Sequence, residues 1–168
     1  MSASPGDRPA GAHHPEPTPT ADHGHVVVVT DNAIGRAVVQ IAGITGRRTT
    51  LLVDDDARQT PLQWLSDHPL DERDALVLCD HDAPQVDELL TTALRGKAGY
   101  VAMMASLRRA ERVLEALAES LPEQTLLRLH VPAGLNTGGK APGEIALSVV
   151  AEIVAVSYGR DGGPMAQR

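Results

Sequence analysis

The chain of 168 residues contains no phenylalanine, one tryptophan and two tyrosines. Its core must therefore be aliphatic, and the aromatic platforms on which single-stranded nucleic acids stack are not supplied. There is one cysteine, Cys79. It cannot close an internal disulfide, and no CxxC or Cys/His zinc spacing accompanies it, so a reducing cytosol fits best. An excess of positive charge is also lacking. The formal net charge is −7, whereas phosphate backbones need clustered Lys and Arg. No apolar run approaches the roughly 20 residues of a membrane helix, and no secretory h-region opens the chain. These absences predict a cytoplasmic protein with neither a nucleic-acid nor a membrane partner.

What is present reads as one domain flanked by tails. Residues 1–23 are dense in Pro, Gly, Ala, Ser and Thr without apolar periodicity, which predicts a disordered tail; residues 161–168 are read the same way. His13, His14, His23 and His25 lie in or beside the first tail, but without thiolate or carboxylate support they predict solvated side chains and no metal site. From 24 to 160, short apolar runs alternate with helical spacing. Strands are expected at Val26–Val29, Thr49–Val53, Ala75–Cys79 and Tyr100–Met104, with a fifth at Leu126–Val131. Helices are expected through Ile34, Val38, Ile41 and Ala42, through Val86, Leu89, Leu90 and Ala93, through Leu107, Ala110, Leu114 and Leu117, and over Pro142–Ser157. The last is apolar on almost every side, which implies burial in the fold or against a partner. Such alternation predicts a doubly wound, mostly parallel, Rossmann-like α/β sheet in a single three-layer domain.

Two turns carry candidate binding residues. A dinucleotide fingerprint would place three glycines after the first strand; here Thr30, Asn32 and Gly35 hold those positions. Gly35 serves either close helix–strand packing alone or a phosphate, and Asp31 would oppose a pyrophosphate. Asp54, at the end of the second strand, suits either a ribose hydroxyl or a solvated turn with Asp55 and Asp56. Further on, Ser106 is a good N-cap for a helix that begins Leu107-Arg108-Arg109. Cations there face the positive end of the helix dipole, unfavourable by about 0.3–1 kcal/mol at exposed sites. A bound anion would relieve this, as would pairing of Arg108 with Glu111 or Glu115. The expected crevice lies between the carboxyl ends of the first and fourth strands.

The stretches Tyr100–Val113 and Leu129–Ile153, with Asp80-His81-Asp82 after the third strand, resemble the C-terminal Rossmann-like domain of the XdhC/CoxI family. The second stretch carries the family's His-x-Pro-x-Gly-Leu turn, a glycine-bearing loop and a Pro-led Glu-Ile-Ala-Leu-Ser helix. Together the matches cover most of residues 25–157. Thr30-Asp31-Asn32-Ala33 replaces the family's glycine loop, and Ala141 stands where a threonine N-cap is usual. No counterpart of the family's N-terminal domain and its cofactor-linked cysteine is seen, and Cys79 reads as a small buried thiol.

The resemblance implies a non-catalytic accessory protein that matures a molybdenum hydroxylase of the xanthine dehydrogenase or CO dehydrogenase type. Its partners would be a hydroxylase subunit or another maturation factor, and a second copy of itself. The ligand would be the phosphate of a molybdenum cofactor or of a nucleotide such as NAD(P), held by Asn32, Gly35, Asp54, His81, Ser106, Arg108 and Arg109. An NAD(P)-dependent oxidoreductase with His81 or His130 as acid/base, and a degenerate domain kept only for dimerisation or docking, are the alternatives.

Overall fold

The computed structural model describes residues 22–53, 58–80, 82 and 85–166. In chain order they form β1 (His25–Val29), α1 (Ala33–Ile44), β2 (Arg48–Leu52), α2 (Pro61–Asp67), β3 (Ala75–Leu78), α3 (Val86–Arg95), β4 (Tyr100–Met103), α4 (Leu107–Ala118), α5 (Glu123–Leu126), β5 (Leu129–His130) and α6 (Pro142–Ser157). The strands make one parallel sheet in the order β2-β1-β3-β4-β5. This is the expected doubly wound α/β architecture.

The core follows from strand periodicity. Val27, Val29, Leu76, Leu78, Val101 and Met103 face one layer with α3 and α4. Val26, Val28, Ala75, Val77, Tyr100 and Ala102 face the other, against α1 and α6. Both faces are covered, so β1, β3 and β4 are continuous apolar runs rather than alternating ones. Phenylalanine is not needed, because valines and leucines fill both layers.

Four local expectations are corrected. The switch point lies between β1 and β3, since β3 and not β4 pairs with β1 on the side away from β2. The turn after β4 is thus two strand spacings from the turn after β1, about 10 Å. The fifth strand is only Leu129–His130, because Leu126 closes α5 and the Arg128 guanidinium turns back to the carbonyls of Leu94, Gly96 and Ala98. On α4 the buried stripe is Ala110, Val113 and Leu117, and Leu107 and Leu114 lie outside it, Leu107 at 75% exposure. Helix α2 is additional to the expected helices, although Thr60, Pro61 and Gln63 spell a capping box with proline in the first turn.

Candidate functional site

The β1–α1 turn is closed by its own side chains. Asn32 caps α1, its Oδ1 accepting from the Gly35 amide at 2.8 Å, while its Nδ2 donates to the Cys79 carbonyl at 3.0 Å. The same residue therefore ties the helix start to the end of β3. Gly35 has a sufficient packing role: a Cβ there would lie 2.4 Å from the Thr30 carbonyl oxygen. Thr30 itself adopts φ +88°, in the region glycine favours, where a dinucleotide loop would have its first glycine. Asp31 pairs with Arg36 at 2.6 Å. A pyrophosphate is disfavoured at this turn, because the Asp31 carboxylate stands beside it and the Thr30 and Asn32 side chains replace the glycines that let a backbone approach the phosphates.

The start of α4 differs. Ser106 Oγ accepts from the Arg109 amide at 3.3 Å, as the sequence predicts for an N-cap. No acidic residue lies in the first turn. Arg108 is exposed and Arg109 half-buried. Among the described residues no ion pair joins Arg108 to Glu111 or Glu115. The amides of Leu107 and Arg108 precede the first intrahelical bond, made by Ala110 to the Ser106 carbonyl, so they are available to an acceptor from outside the helix. This turn therefore carries two amides outside the intrahelical ladder and two arginines, donor types that suit a phosphate.

Asn32 and Gly35 thus share one turn, and Ser106, Arg108 and Arg109 another, both at the carboxyl edge of the sheet. Between them runs the turn after β3, where the Asp80 carboxylate accepts the Asp82 amide at 2.8 Å. Asp54 and His81 lie outside the described residues. Cys79 is buried, and burial pushes its thiol up to about 12, so it is inert as a nucleophile.

A cluster that the sequence reading missed supports the neighbouring loop. Glu152, on α6, accepts from the Tyr100 hydroxyl at 2.5 Å and the Gly134 amide at 2.9 Å, and its other oxygen lies 3.3 Å from His130 Nδ1. The Tyr100 and His130 rings stack at 4.4 Å. Burial alone would raise the Glu152 carboxyl, but the bonds from His130, Tyr100 and Gly134 outweigh it and hold it below the ordinary value. Burial and the adjacent carboxylate push the Tyr100 phenol well up. The cluster pins the segment after β5 against the end of β4, where the Ala133 amide bonds the Met103 carbonyl. A signal did exist, since Glu152 is the only charged residue in α6 beyond its first turn.

The start of α6 is closed too. Ala141 supplies no side-chain cap, as expected, yet Glu144 reaches back to the amides of Lys140 and Ala141 at 2.9 and 3.0 Å. Those bonds lower its carboxyl from the usual range. Among the described residues no group of three His, Cys, Asp or Glu side chains is placed to hold a metal, and no helix is long and apolar enough to cross a membrane.

Comparison with known proteins places these features in a family. A family model described as the XdhC Rossmann domain matches residues 12–153. A protein of Escherichia coli (strain K12) named Uncharacterized protein YqeB is 37% identical over 87 residues, 51% of this chain and 15% of that protein. A protein of Bacillus subtilis (strain 168), named as a probable xanthine dehydrogenase subunit, is 29% identical over 94 residues, 56% of this chain and 27% of that protein. The chain therefore matches only a minor part of each curated relative's length. A crystal structure described as a xanthine dehydrogenase from Bacillus halodurans superposes with a TM-score of 0.66 at 19% identity, covering 82% of this chain and 44% of that one. That likeness is one of fold.

Proposed function

The chain belongs to the XdhC Rossmann-domain family, and from that membership we propose that it is a non-catalytic accessory module of a xanthine-dehydrogenase-type molybdenum hydroxylase system. The family match over residues 12–153 carries the reading. The relative named as a probable xanthine dehydrogenase subunit points the same way. In this role the module docks on a hydroxylase subunit or another maturation factor and presents a phosphate-binding start of α4 at the carboxyl edge of its sheet.

The ligand is the phosphate of a molybdopterin-type cofactor or of a nucleotide. The Leu107 and Arg108 amides and the Arg108 and Arg109 guanidinium groups hold it, and Ser106 fixes the helix start that aims them. Binding and release of an anion by an arginine pair is electrostatic, so no general base is involved. The closed α1 start favours this reading over an NAD(P)-dependent oxidoreductase, whose pyrophosphate would sit there.

The test is affinity purification of the tagged full chain from cells expressing a molybdenum hydroxylase. The reading expects a hydroxylase subunit to copurify, and the yield of active hydroxylase to fall when the chain is deleted. Unchanged hydroxylase activity in the deletion strain, with no subunit retained, would contradict it.

A further inference from the structure

Among the described residues three polar or charged residues are buried: Arg47, Asp74 and Ser148. Two are satisfied. Asp74 accepts from the amides of His25 and Asp71, at 2.8 and 2.9 Å, and Ser148 donates to the Ile145 carbonyl at 2.7 Å. Arg47, only 7% exposed, makes one side-chain hydrogen bond among the described residues, from Nη2 to Ser157 Oγ at 2.8 Å. Its Nε is shielded from solvent and has no acceptor among the described residues. No carboxylate among the described residues lies within ion-pair distance of it. A buried, always-protonated guanidinium in that state is unfavourable unless something else meets its charge.

The helix ends nearby do not use it. The last carbonyls of α1 bond the amides of Thr45, Gly46 and Arg47, and those of α6 bond the amides of Tyr158, Gly159 and Arg160. Arg47 instead lines a cavity of about 130 Å³ with Asp22, His23, Arg73, Ser157 and Tyr158. The one acid there is already engaged: Asp22 accepts the Gly24 amide at 3.1 Å and lies 3.5 and 3.9 Å from Arg73 and Arg48. Arg73 also lies 3.5 Å from Asp71, so among the described residues lining this space Arg47 is the arginine with no carboxylate at ion-pair distance. The cavity sits where the chain enters β1 and β2, at the opposite edge of the sheet from the start of α4.

We propose that this cavity is a second binding site, for a small oxyanion such as a carboxylate or phosphate group, which pairs with Arg47 beside Arg73. Ser157 orients the guanidinium and its own proton goes to the Val154 carbonyl; the Tyr158 hydroxyl is the neutral donor at the rim. This second site is independent of the accessory role and of the start of α4.

Inorganic phosphate is the probe, titrated into the full chain at constant ionic strength with chloride as reference. The variant Arg108→Ala/Arg109→Ala removes the other arginine pair. In that background the thermal midpoint is expected to rise saturably by a few degrees, and the added change Arg47→Gln abolishes the rise. In the unsubstituted chain the Arg47 Nε–H resonance is expected to shift with the same saturation curve, which decides the matter even if Arg47→Gln does not fold. An unmoved Nε–H resonance, a non-saturating rise, or an equal rise with Arg47→Gln overturns the proposal. Failure of phosphate to move the Leu107 and Arg108 amides bears on the start of α4 alone.

Discussion

Helices α1 and α4 both begin at the carboxyl edge of the sheet, and each is capped by a side chain that accepts the amide three residues on, Asn32 for Gly35 and Ser106 for Arg109. Their surroundings differ. At α1 the cap also bonds across to the Cys79 carbonyl after β3, the adjacent Asp31 carboxylate is paired with Arg36 of that helix, and Gly35 is packed against the Thr30 carbonyl. At α4 the first turn carries two arginines and no acid. A glycine at the right spacing after a first strand is therefore not evidence of a phosphate site. The charge carried by the side chains beside the helix start decides it.

The largest effect that would break this comparison is at the closed turn. Gly35→Ala puts a Cβ 2.4 Å from a backbone oxygen, and overpacking of this kind destabilises by about 3 kcal/mol. Urea unfolding measures it; a change under about 1 kcal/mol would mean the turn is loose enough to admit a ligand.

Glu152→Gln comes next and tests the loop beside the start of α4. It replaces charge-assisted bonds with neutral ones and should lower stability by about 2 kcal/mol at neutral pH. The pH dependence has a definite sign. The folded carboxyl lies below its ordinary value of 4.5, so its contribution is fully present above the unfolded value and is lost as pH falls through the folded one. Stability against pH should therefore fall less steeply below 4.5 in Glu152→Gln than in the unsubstituted chain. Parallel acid limbs would contradict the assignment.

Asn32→Ala removes a cap and the bridge to Cys79, with an expected loss of about 1–2 kcal/mol. Added phosphate should shift its unfolding midpoint no more than it shifts that of the unsubstituted chain. Arg108→Ala has the smallest effect and the opposite sign. It takes a cation from the positive end of a helix, so without phosphate it should stabilise by a few tenths of a kcal/mol. A clear destabilisation would show that Arg108 has a structural partner.

Much of the fold was legible because it is local. The runs Val26–Val29, Ala75–Leu78 and Tyr100–Met103 are apolar at every position, and only a strand covered on both faces needs that. Ser106 was legible as a cap for the same reason. What failed depended on tertiary context. Leu107 and Leu114 share helical spacing with Ala110 and Leu117, but Val113 takes the inward position and leaves them outside. The switch point required knowing which strand pairs with β1, and no local pattern encodes that. The Glu152 cluster joins residues from β4, β5 and α6, distant in sequence, and Arg47 is notable only for the partners it lacks once folded.

The central claim is that an anion binds at the start of α4 and not at the start of α1. Backbone amide shifts of the full chain during titration with inorganic phosphate test it most directly. Saturable movement of the Leu107 and Arg108 amides, with Ala33, Ile34 and Gly35 unmoved, is the predicted result. Movement of the α1 amides with those of α4 at rest would contradict it.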